Sequence, residues 1–422
     1  MYRFLVTGGR PLHGSVQASS AKNAVLPILA ACLLTEDTCT ITNLPMLEDV
    51  NTMLRLLRSM GVAVERSGRV ARLTASDSVL TEAPYDIVRR MRASYYVLGP
   101  LVARFGRARV SLPGGCAIGA RPVDLHLRGL GGLGAKVSIE HGYIDARARR
   151  LAGAPLMLEG AKGPSVGATA NTMMAATLAK GETVISGAAC EPEIVDLADF
   201  LNCLGAKVSG AGTPEVRIRG VRRLKGADYR PIPDRIEAGT FAAAACITCG
   251  DVEVRSCRPD HLTAVIDVLR RAGAGVETTR SSIRVSCSGR VKATDITTAP
   301  YPGFPTDLQA QFTALLSTAA GTSVVTENIF EGRFLHAMEL ARMGAQIDVK
   351  GSTAVIHGAA KLSSAQVMAS DLRASAALVL AGLAASGTTE VLRVYHLDRG
   401  YERLEKKLSK LGAKVERAGS SA

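Results

Sequence analysis

One cysteine, Cys116, sits among three glycines (Gly114, Gly115, Gly119) in the stretch 111–125, and Arg121 follows five residues later. A thiol beside a cation is the pairing that sulfur acid–base or nucleophilic chemistry needs, because positive charge favours thiolate relative to its free pKa of about 8.5. Glycines let such a loop approach a ligand closely. A turn holding one packed, inert thiol satisfies the same residues. Asp307, preceded by Phe304-Pro305-Thr306, is the carboxylate candidate. It could take a proton from a substrate hydroxyl, or Thr306 or Asp307 could simply cap the helix that follows.

Cations form the third group. Lys22, next to Asn23, and Arg92 and Arg373 all fall at or just before the first turn of apolar helical stretches, and Arg399 lies in Tyr395-His-Leu-Asp-Arg-Gly-Tyr401. A helix N-terminus carries partial positive charge, so each cation there costs about 0.3–1 kcal/mol. An anion lying between the cation and the free N–H groups reverses that cost. Pairing of Arg373 with Asp371 and plain solvation of Lys22 are the simpler accounts of single residues. Three such positions, joined by Arg121 and Arg399, point to a pocket for a substrate with several negative charges.

Composition narrows the partner. The formal charge of +13 calls for something anionic, yet aromatics are 4% of residues, Trp is absent and no Lys/Arg block or basic tail occurs. Stacking platforms for bases are therefore poorly supplied, and a small polyanion fits better than nucleic acid. Nine cysteines without regular spacing and an N-terminus lacking an apolar core lead us to expect a cytoplasmic protein with reduced thiols. The longest apolar runs, 24–34 and 374–385, fall short of the roughly 20 residues that cross a bilayer, so no membrane partner is expected. Cys246-Ile-Thr-Cys249 has no second Cys or His pair and reads as packing, so no metal site is expected. Gly131-Gly-Leu-Gly134 ends a helix where a dinucleotide-binding loop would open one.

The elements that must position these residues repeat. Met60-Gly-Val-Ala-Val64, Leu133-Gly-Ala-Lys-Val137, Leu204-Gly-Ala-Lys-Val208, Ala272-Gly-Ala-Gly-Val276, Met343-Gly-Ala-Gln-Ile347 and Leu411-Gly-Ala-Lys-Val415 place glycines at 61, 134, 205, 273, 344 and 412, which are 73, 71, 68, 71 and 68 residues apart. Six units of about 70 residues thus fill the chain. Each reads as helix, strand, helix, strand, strand. The first helices, expected at 24–34, 93–105, 169–180, 240–248, 308–320 and 372–386, lack a polar face and should be buried on all sides. Three of them at the centre of each half, with sheets outside, meet that demand, and Tyr229-Arg-Pro-Ile-Pro-Asp234 is the expected hinge. No leftover apolar stripe asks for a second copy, so a monomer is expected.

Specific motifs now carry a resemblance that runs end to end: Ala21-Lys-Asn-Ala24, Met91-Arg-Ala-Ser94, the loop 112–124, Ser165-Val-Gly-Ala168, Glu191-Pro-Glu-Ile-Val-Asp196, Phe304-Pro-Thr-Asp-Leu-Gln-Ala-Gln311, Asp371-Leu-Arg-Ala-Ser375 and Leu397-Asp-Arg-Gly-Tyr401. With these the chain resembles the enolpyruvyl transferases. Among them, the 5-enolpyruvylshikimate-3-phosphate synthases share the sixfold plan but look unlike this chain at the cysteine loop. The resemblance implies a two-domain inside-out α/β barrel of six repeats, three per domain. One lobe would take residues 22–233 with the Cys116 loop. The other would take 1–21 and 234–422 with Asp307 and Arg399, and the active site would lie in the cleft between them.

The implied reaction moves the enolpyruvyl group of phosphoenolpyruvate to the 3'-hydroxyl of UDP-N-acetylglucosamine and releases phosphate, the first committed step of peptidoglycan synthesis. No metal or organic cofactor is implied. On the matching positions, Cys116 would protonate the methylene carbon, Asp307 would take the sugar hydroxyl proton, and Lys22, Arg121 and Arg399 would hold phosphate and carboxylate, with Asn23 at the reacting region. Arg92, the segment Arg121, Pro122, Val123, Asp124 and Leu125, then Ser165, Val166, Gly167, Asp307 and Ile329 would line the nucleotide-sugar site. Arg333 and Arg373 would be further basic positions, and Cys116 would be alkylated by the epoxide fosfomycin.

Overall fold

The structure is a computed structural model that describes residues 2–89, 91–112 and 123–419, with Arg92 as backbone only. The described chain divides into two compact units, 20–112 with 123–232, and 2–19 with 233–419. Each unit has a separate hydrophobic core.

In the first unit, three helices free of a polar face, Lys22–Ala31, Leu98–Phe105 and Val166–Ala176, pack on one another in the core. Around them stand three four-stranded sheets. From edge to edge these are Asp228–Tyr229, Cys39–Ile41, Val70–Thr74 and Ala63–Ser67; Glu82–Ala83, Arg107–Ser111, Tyr143–Arg147 and Lys136–Glu140; and Pro155–Met157, Glu182–Ser186, Glu215–Arg219 and Lys207–Ser209. In each the first pair is parallel and the others antiparallel. Alternation along the strands explains the layering. Ala108 and Val110 of one strand and Ile144 and Ala146 of its partner are fully buried, while Arg107, opposite Arg147, is exposed.

The second unit repeats the plan. Its core helices are Arg235–Ile247, Gln309–Leu316 and Leu372–Ala384, and its three sheets have the same strand order and the same one-parallel, two-antiparallel pairing. Two strands come from the start of the chain. Arg3–Thr7 lies between Thr388–Leu392 and Lys414–Ala418, antiparallel to both, and His13–Gln17 runs parallel to Asp251–Arg255. The N-terminal residues therefore complete two of this unit's sheets.

The repeated glycine has a common geometry. Gly61, Gly134, Gly205, Gly273, Gly344 and Gly412 all take φ between 88° and 98°, the left-handed turn that ends each outer helix and is costly for any residue with a Cβ. Two expected core helices begin differently from the sequence reading. Arg92–Val97 and Thr306–Leu308 wind as 3-10 turns ahead of Leu98–Phe105 and Gln309–Leu316. At the first, Pro100 has no N–H to close an α-turn on Tyr96, so the tighter winding replaces it.

Candidate active site

Asp307 projects from the 3-10 turn Thr306–Leu308, directly before the core helix Gln309–Leu316. Pro305 leads in with extended backbone and no side chain caps the turn, so the capping account of this carboxylate does not hold. Instead two guanidiniums clamp it. Arg333 Nη2 donates to Oδ1 at 2.9 Å and Arg373 Nη2 donates to Oδ2 at 2.8 Å. Both arginine side chains are nearly buried, at 6% and 7% exposure, whereas 26% of the Asp307 side chain remains accessible. Burial by itself would raise the pKa of this carboxyl, but Arg373 and then Arg333 overcome it and hold Asp307 well below the usual carboxylate range.

Each arginine is held in turn. Arg333 Nη1 donates to Thr306 Oγ1 at 2.7 Å, while Arg373 Nη1 reaches the Tyr401 hydroxyl at 3.3 Å and its guanidinium carbon lies 5.6 Å from that ring's centroid. Gln311 Nε2 sits 3.0 Å from both the Tyr401 hydroxyl and the Asp307 carbonyl oxygen, so the core helix itself fixes the turn. Asp371 does not pair with the Arg373 guanidinium. Its Oδ1 accepts from the amides of Arg373 and Ala374 and so caps Leu372–Ala384, which leaves the guanidinium for Asp307. His336, on Leu335–Arg342, feels both Asp371 and Arg333; burial pushes it down to about 4, so it is neutral at pH 7.

Lys22 opens the core helix Lys22–Ala31 of the first unit. Its Nζ donates to Asp49 Oδ2 at 3.0 Å, with side-chain exposures of 14% and 5%. The cation is thus balanced by a buried carboxylate as well as set against the helix dipole, and simple solvation is not its state. Asp49 belongs to the first turn of Glu48–Ser59, where its charge is favourable. Asn23 is half-buried in the same first turn as Lys22.

The remaining expected positions fall as follows. Ser165 caps Val166–Ala176, its Oγ accepting from the Ala168 amide at 3.3 Å. Gly167 lies against His126, where an added Cβ would come within 2.9 Å of Nε2, and His126 Nδ1 is 3.0 Å from the buried Asn171 amide nitrogen. Val123 and Val166 are half-buried, Asp124 is exposed at the start of Asp124–Gly132, and Leu125 is buried. Ile329 is half-buried with its amide bound to Glu327, and Arg399 ends the 3-10 turn Val394–Arg399. Cys116, Arg121 and Pro122 lie outside the described residues, as does the Arg92 side chain.

Asp49, Glu327 and the role of Thr306 as a bridge were not singled out by the sequence reading. The only trace there is Glu or Asp at the start or end of a periodic run, which marks a cap as readily as a buried ion pair. Among the described residues no group of three or more His, Cys, Asp and Glu is placed to hold a metal ion, and no helix is long and apolar enough to cross a membrane. Chemically, the second unit offers an accessible carboxylate whose proton affinity is set by two arginines. The first unit offers an ammonium at a helix N-terminus, which is suited to an anion.

Known proteins bear on this geometry. Residues 6–408 match a family model described as EPSP synthase (3-phosphoshikimate 1-carboxyvinyltransferase). The chain is 54% identical over 417 residues, 99% of each sequence, to UDP-N-acetylglucosamine 1-carboxyvinyltransferase from Desulfosudis oleivorans. To proteins of that name from Paramagnetospirillum magneticum and Myxococcus xanthus it is 55% and 54% identical, over 98% or more of each chain. The enolpyruvyl transferase NikO from Streptomyces tendae superposes with a TM-score of 0.89 at 26% identity, covering 100% of this chain and 99% of that one. EPSP synthase from Acinetobacter baumannii gives 0.76 at 19% identity, over 99% and 100%, a likeness of fold. The two units of three repeats are the inside-out α/β architecture of these structures. With a family model and curated relatives both matched along nearly its whole length, the chain belongs to the enolpyruvyl transferase family.

Proposed function

We propose that this protein transfers the enolpyruvyl group of phosphoenolpyruvate to the 3'-hydroxyl of UDP-N-acetylglucosamine and releases phosphate, in the cytoplasm, as the first committed step of peptidoglycan synthesis. What carries the reading is Asp307, an accessible carboxylate clamped by two nearly buried arginines, in a chain more than half identical, end to end, to relatives of that name.

The reaction is an addition followed by an elimination. The sugar oxygen bonds to C2 of phosphoenolpyruvate as Asp307 takes its proton, and the methylene carbon C3 receives a proton from the Cys116 thiol. The C2–O bond to phosphate then breaks, its electron pair leaving with the phosphate, and C3 gives a proton back to the Cys116 thiolate, which leaves the enol ether. Negative charge builds on the departing phosphate as its bond to C2 breaks, so cations fixed around that phosphate lower the barrier. Lys22, Arg121 and Arg399 take the phosphate and carboxylate, and Asn23 contacts the reacting region. Arg92, Arg121, Pro122, Val123, Asp124, Leu125, Ser165, Val166, Gly167 and Ile329 line the nucleotide sugar.

A carboxylate held ionised by two arginines is a weak base in isolation. An incoming anion that draws Arg333 or Arg373 towards itself restores basicity to Asp307, which couples proton removal to substrate arrival. Cys116 must stay a thiol to protonate carbon, and thiolate character favours a covalent adduct, so its pKa belongs near the working pH.

Turnover in deuterium oxide tests the reading. Deuterium in the vinyl methylene of the product is the expected result, since C3 passes through a methyl group. Product free of deuterium would replace addition–elimination by direct displacement.

A further inference from the structure

We propose that Glu327 is a positioning residue for the transfer, its buried carboxylate setting Arg333 through the Thr306 hydroxyl while tying down the Ile329 and Phe330 backbone. The proposal rests on the assignment of Asp307 as the base and of Ile329 to the nucleotide-sugar site.

Glu327 follows the strand Thr322–Thr326 and is 2% exposed, yet no Lys or Arg is recorded within ion-pair distance of it among the described residues. Its charge is met by hydrogen bonds. Oε1 accepts from the Thr298 hydroxyl at 2.9 Å, the Ile329 amide at 2.8 Å and the Phe330 amide at 3.0 Å, and Oε2 accepts from the Thr306 hydroxyl at 2.8 Å. A buried carboxylate is costly unless its lone pairs are satisfied in this way.

The direction of the chain follows from donor chemistry alone. A guanidinium can only donate and an ionised carboxylate can only accept. Thr306 Oγ1 therefore accepts from Arg333 Nη1 at 2.7 Å and gives its own hydrogen to Glu327. The second nitrogen of the same guanidinium, Nη2, donates to Asp307 Oδ1 at 2.9 Å. Glu327, Thr306, Arg333 and Asp307 thus form one ordered run of hydrogen bonds, with the hydroxyl fixing the plane in which Arg333 meets Asp307. On the other oxygen, Thr298 repeats the arrangement, accepting from the Asn328 amide at 2.9 Å while donating to Glu327. One carboxylate so sets both the arginine on the base and the main chain at Ile329.

The test compares Thr306→Val, Glu327→Gln, the double variant and Asp307→Ala in the full-length protein, with kcat, KM for each substrate and melting temperature. Thr306→Val removes the bridge and leaves the loop anchored, so kcat should fall about tenfold to a hundredfold, as small misplacements at a reacting centre do, with KM within about twofold. Glu327→Gln should lower kcat comparably and also raise KM for UDP-N-acetylglucosamine. In the double variant kcat should be no lower than in Glu327→Gln alone, since both act through one chain. Should Glu327→Gln fold poorly, Thr306→Val still decides. Unchanged kcat in Thr306→Val, or losses that add fully in the double variant, would overturn the proposal while an inactive Asp307→Ala kept the base assignment. Near-normal turnover in Asp307→Ala would instead remove the base assignment itself.

Discussion

Asp307 shows how much a side chain's neighbours decide. Its identity suggested a base or a cap; Arg333 and Arg373, distant in sequence, make it a clamped anion. Removing it should leave the fold intact, because the backbone turn is also held by Gln311. Asp307→Ala should lower kcat by about 10²–10⁴-fold, the range for loss of a positioned proton acceptor, with an unchanged circular dichroism spectrum; near-normal turnover would remove it as the base. Because its pKa is depressed, Asp307 stays ionised below the usual carboxylate range, and the stability it contributes is complete above its unfolded value near 4 and is lost progressively as pH falls from there through the lower folded value. Cys116 is tested separately. Incubation with fosfomycin should add one drug mass to the peptide carrying it, and Cys116→Asp should retain turnover and escape the drug.

Individual elements obey constraints that the sequence showed unevenly. The left-handed glycine ending each outer helix was legible, since six copies of Gly61 and its counterparts recur at nearly even spacing. The closeness of two core helices was not, because it depends on pairs far apart in the chain. At Gly99 an added Cβ would lie 2.3 Å from the Asn171 carbonyl oxygen, and the Gly99 amide donates to Asn171 Oδ1 at 2.8 Å. Gly99→Ala should therefore destabilise the first unit by at least about 1–3 kcal/mol, measured by urea denaturation. Wild-type stability would mean that the helices can separate at no cost.

Asp196 makes a second test at this level. It lies on Pro192–Cys203, 2% exposed, and accepts from the Tyr229 hydroxyl at 2.7 Å and the Ile232 amide at 3.2 Å. Burial pushes it up to about 6 despite those bonds. Between its unfolded value near 4 and about 6, the folded state keeps a proton that the unfolded chain has lost, so stability falls as pH rises across that window. Asp196→Asn should flatten the fall in melting temperature from pH 4.5 to 6.5; an unaltered slope would assign it to other groups.

At the scale of the whole molecule, periodicity alone disclosed six repeats and two sets of three buried helices. It did not disclose where the N-terminal residues go, because strands of five residues carry no address. Arg3–Thr7 is an inner strand of its sheet, with Phe4 and Val6 fully buried, so removing residues 1–19 should expose the core of the second unit and abolish soluble expression. A folded, soluble truncated protein would show that these strands are dispensable. The buried acids Asp49, ion-paired with Lys22, and Glu327, held by hydroxyl and amide donors, were illegible for a similar reason. Burial of an acid depends on which surface the folded chain lays over it, and no local pattern records that.

The most direct test is phosphate release from phosphoenolpyruvate, followed with UDP-N-acetylglucosamine present, with it omitted, and with shikimate-3-phosphate in its place. Multiple-turnover release only with the nucleotide sugar is what an enolpyruvyl transferase of this kind must give. Release with shikimate-3-phosphate instead, or with no acceptor at all, would contradict it.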